Sequence, residues 1–240
     1  MDAWCFYFLL ALFALTSSLR AQDFFALGSQ AYADHNYEQA ATNFFQAANH
    51  SPASGTFHNL GNAEWQLGHT GPAILAWERA LWLDPFSPKP QQNLRFARKA
   101  RLLDSPELLW YEICSTWLPA TAWPWLASMS LWLAIALVVL PGVFRWRSAG
   151  WHQALAAAGF AIFLLTIPAL IGIHSRSKLG VVIPKSVNLR LTPTAEAQPT
   201  ARLAAGEIVR LDHRRGQYLF VRTATGTGWI DQSQLSLIAD

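Results

Sequence analysis

Charge is scarce in this chain. Only 14 % of its 240 residues are charged, against ~25 % in typical soluble proteins. The deficit is concentrated in two places, because Trp125–Phe144 and Gln153–Ile173 hold no charged side chain at all. Each is about the length an α-helix needs, at ~1.5 Å per residue, to cross a hydrocarbon core. These stretches predict two transmembrane helices, over 121–144 and 152–173, joined by a short loop, 145–150, that carries Arg145 and Arg147. With no ionisable group inside them, the spans argue against a proton or ion pathway. A transporter subunit would show buried polar residues there, and Thr166 is a poor one. Pro124, Pro141 and Pro168 are tolerated where neighbouring helices repair the backbone.

Cysteine is nearly absent too. Cys5 and Cys114 are the only two, so cleavage of the N-terminus would leave no internal disulfide, and no metal cluster can be built from them. No basic patch interleaved with aromatics argues for nucleic acid. There is no Gly-x-Ser-x-Gly, no His-Glu-x-x-His and no phosphate-cradling glycine loop; Gly226-Thr227-Gly228 reads as a turn. The expectation is a chain that is not an enzyme, with no catalytic residue, no cofactor and no metal site. An enzyme or an enzyme's subunit acting on wall material is the competing hypothesis, and it would need two acids or an acid–His pair facing each other in one pocket.

What is present begins with an apolar run, Ala3–Leu15, followed by Ser17, Ser18 and Ala21. It reads as a signal peptide over 1–21. Asp2 and the missing Lys or Arg leave an uncleaved anchor as the alternative. Trp110, Trp117, Trp123, Trp125, Trp146 and Trp151 cluster near the span ends, where an amphipathic ring suits the lipid–water boundary. The loop's two arginines, set against Asp104, Glu107 and Glu112 before the first span, place that loop in the cytoplasm by the positive-inside rule. Both soluble modules are then extracytoplasmic. Residues 22–116 hold six bases and nine acids, whereas 175–240 hold nine bases and five acids. The basic tail is either an ordinary solvated face or a surface for an anionic partner.

An internal repeat lies at 22–103. Leu27-Gly28, Ala40, Phe44, Ala47 and Pro52 return as Leu60-Gly61, Ala73, Trp77, Ala80 and Pro85, a constant offset of 33 residues. This is the tetratricopeptide pattern of paired antiparallel helices. The small residues let two helices approach to ~8–10 Å. Phe44 and Trp77 are expected to fill the gap to the next helix, and the prolines to end each second helix. The repeats span about 24–53 and 56–86, and 90–103 is expected to cap the open end, burying Leu94, Phe96, Ala97 and Ala100. Ser105-Pro106-Glu107 then signals an interfacial helix over 105–117. The first helix of each repeat lines a concave groove, which nominates Tyr32, His58, Asn62, Trp65, Gln66, Gln92 and Lys99 as partner-binding residues. His58 has no second ligand at helical spacing and is not read as a metal site. Alanines at Ala154/Ala158 and Ala157/Ala161 would let a helix partner approach the second span.

After Pro184 the period changes to two. Val187–Arg190, Glu207–Leu211, Tyr218–Arg222 and Trp229-Ile230 alternate, with turns at Thr192-Pro193, Ala205-Gly206 and Arg215-Gly216. Short strands within about sixty residues suggest a compact barrel over 180–240. The segment resembles a bacterial SH3 domain through Val187-Asn188-Leu189-Arg190 with Pro193, Leu203 with Gly206-Glu207, and Gly228-Trp229-Ile230. That resemblance implies binding of peptides or cell-wall polymer, with Tyr218, Phe220 and Trp229 as the surface candidates.

The order of these parts is similar to that of the BatE family, named for an aerotolerance operon. The strongest match is Asn59-Leu60-Gly61-Asn62-Ala63, Ala73-Ile74, and Trp77-Glu78-Arg79-Ala80-Leu81-Trp82-Leu83-Asp84-Pro85, continued by Asn93-Leu94-Arg95-Phe96-Ala97. The expected fold is therefore a multidomain membrane protein: an all-α tetratricopeptide module, a transmembrane helical hairpin and a small all-β SH3-like barrel. The resemblance implies a scaffold in a bacterial inner membrane, with von Willebrand A domain proteins and an AAA-type ATPase as partners. The lipid bilayer and peptidoglycan complete the set of expected contacts.

Overall fold

The computed structural model describes residues 22–104, 106–143, 150–224 and 226–239. The expected signal segment, the Ser105 cap, Trp146 and the Arg145/Arg147 loop lie outside them. The described chain forms two compact units.

The first unit combines residues up to Pro106 with Lys178–Asp240. It opens with helix α1, over 22–33, followed by α2 (Tyr37–His50), α3 (Ser54–Gln66), α4 (Thr70–Leu83) and α5 (Pro88–Arg101). Local chemistry sets these ends. Asn36 caps α2 by accepting from the Gln39 N–H at 3.3 Å. Proline at the first position starts α5, and Leu102 stops it in the left-handed region, at φ 54°.

The repeat has a physical basis in two glycines. A Cβ on Gly28 would sit 2.8 Å from the Phe44 ring, and one on Gly61 would sit 2.5 Å from the Trp77 indole nitrogen. Both approaches are shorter than carbon contacts tolerate. The aromatic of each repeat therefore packs on the glycine of its own repeat, and it reaches the next helix too: Phe44 shares a core cluster with Leu60 and Ala63 of α3, and Trp77 lies beside Asn93 and Phe96 of α5. Ala40, Ala73 and Ala80 are fully buried around these pairs, with Phe44 and Trp77 almost so. In α5, Leu94 and Ala97 are buried as expected, but Phe96 is 62 % exposed and Ala100 is exposed.

The second half of this unit is one antiparallel sheet of seven strands. They are β1 (Leu179–Val182), β2 (Ser186–Arg190), β3 (Pro199–Ala204), β4 (Ile208–Arg215), β5 (Tyr218–Thr223), β6 (Gly226–Asp231) and β7 (Leu235–Leu237). Their order is β3-β2-β6-β5-β4-β1-β7. One face buries Val187, Leu189, Leu203, Val209, Leu219, Val221 and Ile230. Gly226-Thr227-Gly228 is not a turn but the start of β6. The turn precedes it, where Thr223 Oγ1 binds both the N–H and the carbonyl of Gly226. Gly228 sits tightly inside the strand, where a Cβ would lie 3.1 Å from the Arg190 carbonyl.

The helices and the sheet pack against one another within this unit. Arg79 of α4 donates to the Leu237 carbonyl at 2.9 Å. A Cβ on Gly71 would lie 2.6 Å from the Val182 carbonyl, so only glycine lets α4 lie against the chain leaving β1. Gly206, at φ 89°, turns against the Ile74 and Leu103 side chains.

The second unit is Glu107–Ser177 and is all helix: α6 (Trp110–Ser115), α7 (Ala122–Val143) and α8 (Trp151–Arg176). Ala122–Pro141 and Trp151–Arg176 are long and apolar enough to cross a membrane. Trp125, Met129, Trp132 and Leu165 are each more than two-thirds exposed. α7 and α8 meet through small residues: Ala127, Ser130 and Ala134 face Ala156, Gly159 and Ala169, all buried. The pairs Ala154/Ala158 and Ala157/Ala161 stay exposed. Helix α6 is shorter than the 105–117 expectation. Its start is set by Glu112, whose Oε2 accepts from the Leu109 N–H at 2.9 Å, rather than by the Ser-Pro-Glu signal.

Candidate functional site

The helical array builds a hollow of about 190 Å³ from four helices. Tyr32 comes from α1, Asn62, Trp65 and Gln66 from α3, Trp77 from α4, and Asn93 and Phe96 from α5. A second hollow of about 130 Å³ adjoins it, sharing Tyr32 and Asn62 and adding Ser29, Phe44 and Asn59.

The aromatic wall is continuous. Trp65 lies 5.8 Å from Trp77 and meets Phe96 edge-on at 5.9 Å. The Arg101 guanidinium sits 5.6 Å from the centre of the Trp65 ring, which puts a cation over a half-buried aromatic ring. Behind the wall is a network of amides. Asn62 Oδ1 accepts from the Trp77 indole N–H at 3.2 Å and from Asn93 Nδ2 at 2.7 Å. His58 Nε2 lies 3.3 Å from Asn93 Nδ2, while its Nδ1 faces Asn59 Oδ1 at 3.2 Å. That pattern is satisfied by neutral imidazole carrying its proton on Nδ1, with Nε2 as acceptor. Burial lowers the His58 pKa, the Asn59 hydrogen bond opposes that shift, and the Lys89 charge adds to the lowering. The network fixes the rotamers of Trp77 and Asn62, so the hollow is rigid at its base.

Of the residues nominated from sequence, Tyr32, Asn62, Trp65 and Gln66 line this hollow. His58 lies behind it and orients Asn62 and Asn93. Gln92 and Lys99 are exposed on α5, outside the lining. Trp77, Asn93 and Phe96 also line the hollow; the repeat pattern alone gives Trp77 and Phe96 to packing, and no spacing in the sequence marks Asn93.

The sheet carries a second cluster. Tyr218, Phe220 and Trp229 lie outside the core layer of the sheet. Tyr218 is nevertheless 9 % exposed. Phe220 pairs with Trp229 across β5 and β6 and with His213 across β4 and β5. His213 stacks on Phe220 at 4.7 Å and meets Trp229 edge-on at 5.2 Å. His213 joins the cluster because a bulge between Leu211 and His213 shifts the register of β4, which no alternation in the sequence announces. Asp231, on the same strand as Trp229, accepts from Ser233 N and Oγ, and these bonds hold its carboxyl below the ordinary range.

In the second unit, Glu112 is fully buried. Its Oε1 accepts from Ser175 Oγ at 2.5 Å, and Arg176 donates to Ser115 Oγ at 3.1 Å. Trp123, 7 % exposed, donates its indole N–H to the Ser115 carbonyl. These bonds tie α6 to the C-terminal end of α8. A larger hollow between α7 and α8, about 530 Å³, is lined by apolar side chains and Gln153, and offers no polar constellation. Among the described residues no group of three or more His, Cys, Asp or Glu could hold a metal ion.

Compared with known proteins, the chain matches no protein-family profile and no curated protein.

Proposed function

We propose that this chain is a membrane-anchored, non-catalytic adaptor that seats a segment of a partner protein in the groove formed by α1, α3, α4 and α5. The observation that carries this reading is the hollow itself: a rigid base of hydrogen-bonded amides beneath a partly exposed aromatic wall. Amides can pair with an extended backbone, and an aromatic wall can take one apolar anchor, which is the economy of a peptide-binding groove. The paired glycine–aromatic contacts at a 33-residue offset support a tetratricopeptide array. The seven short antiparallel strands are compatible with an SH3-like module whose Phe220–Trp229–His213 cluster contacts a second partner or peptidoglycan.

On this reading α7 and α8 are a transmembrane hairpin in a bacterial inner membrane. Loop 145–150 is cytoplasmic, and the array and sheet are extracytoplasmic. Their shared interface through Arg79 and Gly71 supports one compartment for both. A BatE-like role, with von Willebrand A domain proteins and an AAA-type ATPase as partners, rests on the sequence resemblance alone.

The test is a photocrosslinking amino acid at Phe96 in intact membranes, with mass spectrometry of the adducts. One defined protein, lost when Asn62→Ala or Trp65→Ala is added, is the expected result. No adduct, or adducts unchanged by both substitutions, overturns the adaptor reading.

A further inference from the structure

Charge is distributed along the array with a single polarity. From residue 22 to 78 there is no Lys or Arg, while Asp23, Asp34, Glu38, Glu64 and Glu78 are acidic. Helix α5 is the reverse: Pro88–Arg101 holds Lys89, Arg95, Arg98, Lys99 and Arg101 and no acid. Arg98 is turned to α4, where it pairs with Glu78. Arg95, Lys99 and Arg101 are exposed beside the groove wall made by Phe96, and Arg101 stands over Trp65. Lys89 is near enough to act on His58. Three large apolar side chains accompany these cations in solvent: Phe86 at 63 %, Phe96 at 62 % and Leu102 at 93 % exposed.

Resting on the adaptor reading, we propose that the groove takes an extended peptide segment in which an apolar anchor is followed, toward α5, by acidic side chains. The anchor packs on Trp65 and Phe96, with Asn62 and Asn93 beneath it. The acidic residues pair with Arg95, Lys99 and Arg101. A uniformly acidic segment does not fit, because its other end would lie over the acidic, base-free α1–α2 side; a basic segment is repelled from α5. Opposite charges set the orientation of the segment, and the apolar anchor sets its position.

The test uses the full chain in nanodiscs of neutral lipid and fluorescein-labelled twelve-residue probes read by anisotropy. One probe joins a central Leu-Trp anchor to three Asp on one side. A second replaces the Asp by Lys, and a third keeps the Asp but replaces the anchor by Gly-Ser. The first is expected to bind at least 10-fold tighter than either other. The double change Arg95→Glu with Lys99→Glu should weaken it at least 10-fold, and so should Phe96→Ser; all three side chains are exposed, so the fold is retained. Equal binding of the Asp and Lys probes, or indifference to the charge reversal, overturns this inference while leaving a peptide groove in place. If no probe binds, the crosslinked segment recovered through Phe96 decides: an anchor flanked by acids upholds the inference and any other sequence removes it. No adduct at all removes the adaptor reading itself.

Discussion

Replacing Gly61 by alanine adds one methyl group where the structure has no room. The new Cβ would lie 2.5 Å from Trp77 Nε1, 2.6 Å from Cδ1 and 2.9 Å from Cε2. Trp77 cannot retreat easily. It is 2 % exposed, donates to the His58 carbonyl at 3.3 Å and to Asn62 Oδ1 at 3.2 Å, and packs on Trp65. Overpacking of this kind costs about 1–3 kcal/mol. Losing the indole hydrogen bonds adds about 1 kcal/mol, and the better helix propensity of alanine returns about 1 kcal/mol. The last two terms offset one another, so the net expectation is a loss of about 1–3 kcal/mol. Two other glycines calibrate it. Gly28→Ala meets Phe44 at 2.8 Å, but that ring carries no hydrogen bond, so the loss is smaller. Gly55→Ala meets nothing within 4 Å and should stabilise by up to about 1 kcal/mol. Urea unfolding of the full chain in detergent, followed by tryptophan fluorescence, should rank the midpoints Gly55→Ala above wild type, above Gly28→Ala, above Gly61→Ala. If Gly61→Ala and Gly55→Ala unfold within about 0.5 kcal/mol of one another, a threshold set by ordinary surface scatter, the glycine–aromatic contact does not organise the array.

Further outcomes follow from the same contacts. The pKa of His58 is lowered on folding, so the unfolded chain takes up the proton first, and stability is full above about pH 6.5 and falls as the pH drops below it; urea midpoints at pH 7.5 and 5.5 should differ, and His58→Gln should shrink the difference. Leu102, left-handed and 93 % exposed, should gain about 0.5–1 kcal/mol on Leu102→Gly, checked by thermal unfolding; a loss would show that its side chain has an apolar contact in the folded state. Gly71→Val drives a branched side chain into the Val182 and Ile183 carbonyls, and a cost of about 3 kcal/mol should speed hydrogen exchange of the β1 amides by roughly 100-fold, with unchanged exchange arguing that the interface is dispensable. Single cysteines at the exposed Ser51 and Glu196, in a chain freed of Cys5 and Cys114, should both react with a membrane-impermeant maleimide from one and the same side of sealed vesicles; opposite sides would exclude the two-span hairpin.

Much of this architecture is legible in one dimension because its determinants are periodic. The 33-residue repeat places glycine against aromatic twice, and the charge-free runs mark α7 and α8 to within a few residues. Position 35 shows where periodicity stops helping. Gly68 makes the left-handed turn between α3 and α4 at φ 77°, and His35, 33 residues earlier, makes the same turn at φ 59°. The geometry is conserved between repeats while the residue that advertises it is not. The groove was half legible for a similar reason. Helix position predicts that Tyr32, Asn62, Trp65 and Gln66 share a face, but Phe96 looks like a core residue until the neighbouring Leu94 and Ala97 are seen to satisfy the packing of α5.

The contacts that no pattern announces are those between distant segments. Arg79 and Leu237 are 158 residues apart, and the glycine that admits the sheet, Gly71, sits in a Thr-Gly-Pro run that reads as an ordinary turn. In the sequence Glu112 is one of the acids that precede the first apolar run, yet it is buried and bonded to Ser175, 63 residues on. A buried carboxyl group is retained only where polar partners surround it; here one is the local Leu109 N–H and another, Ser175, comes from the far end of α8. The Glu112–Ser175 contact has a plain geometric origin. A hairpin of two long helices returns the chain to the level at which it left, so that residues just before α7 and just after α8 become neighbours. Within the second unit this joins α6 to the end of α8. The apolar helices α7 and α8, the least informative part of the sequence for chemistry, thereby bring Glu112 to Ser175.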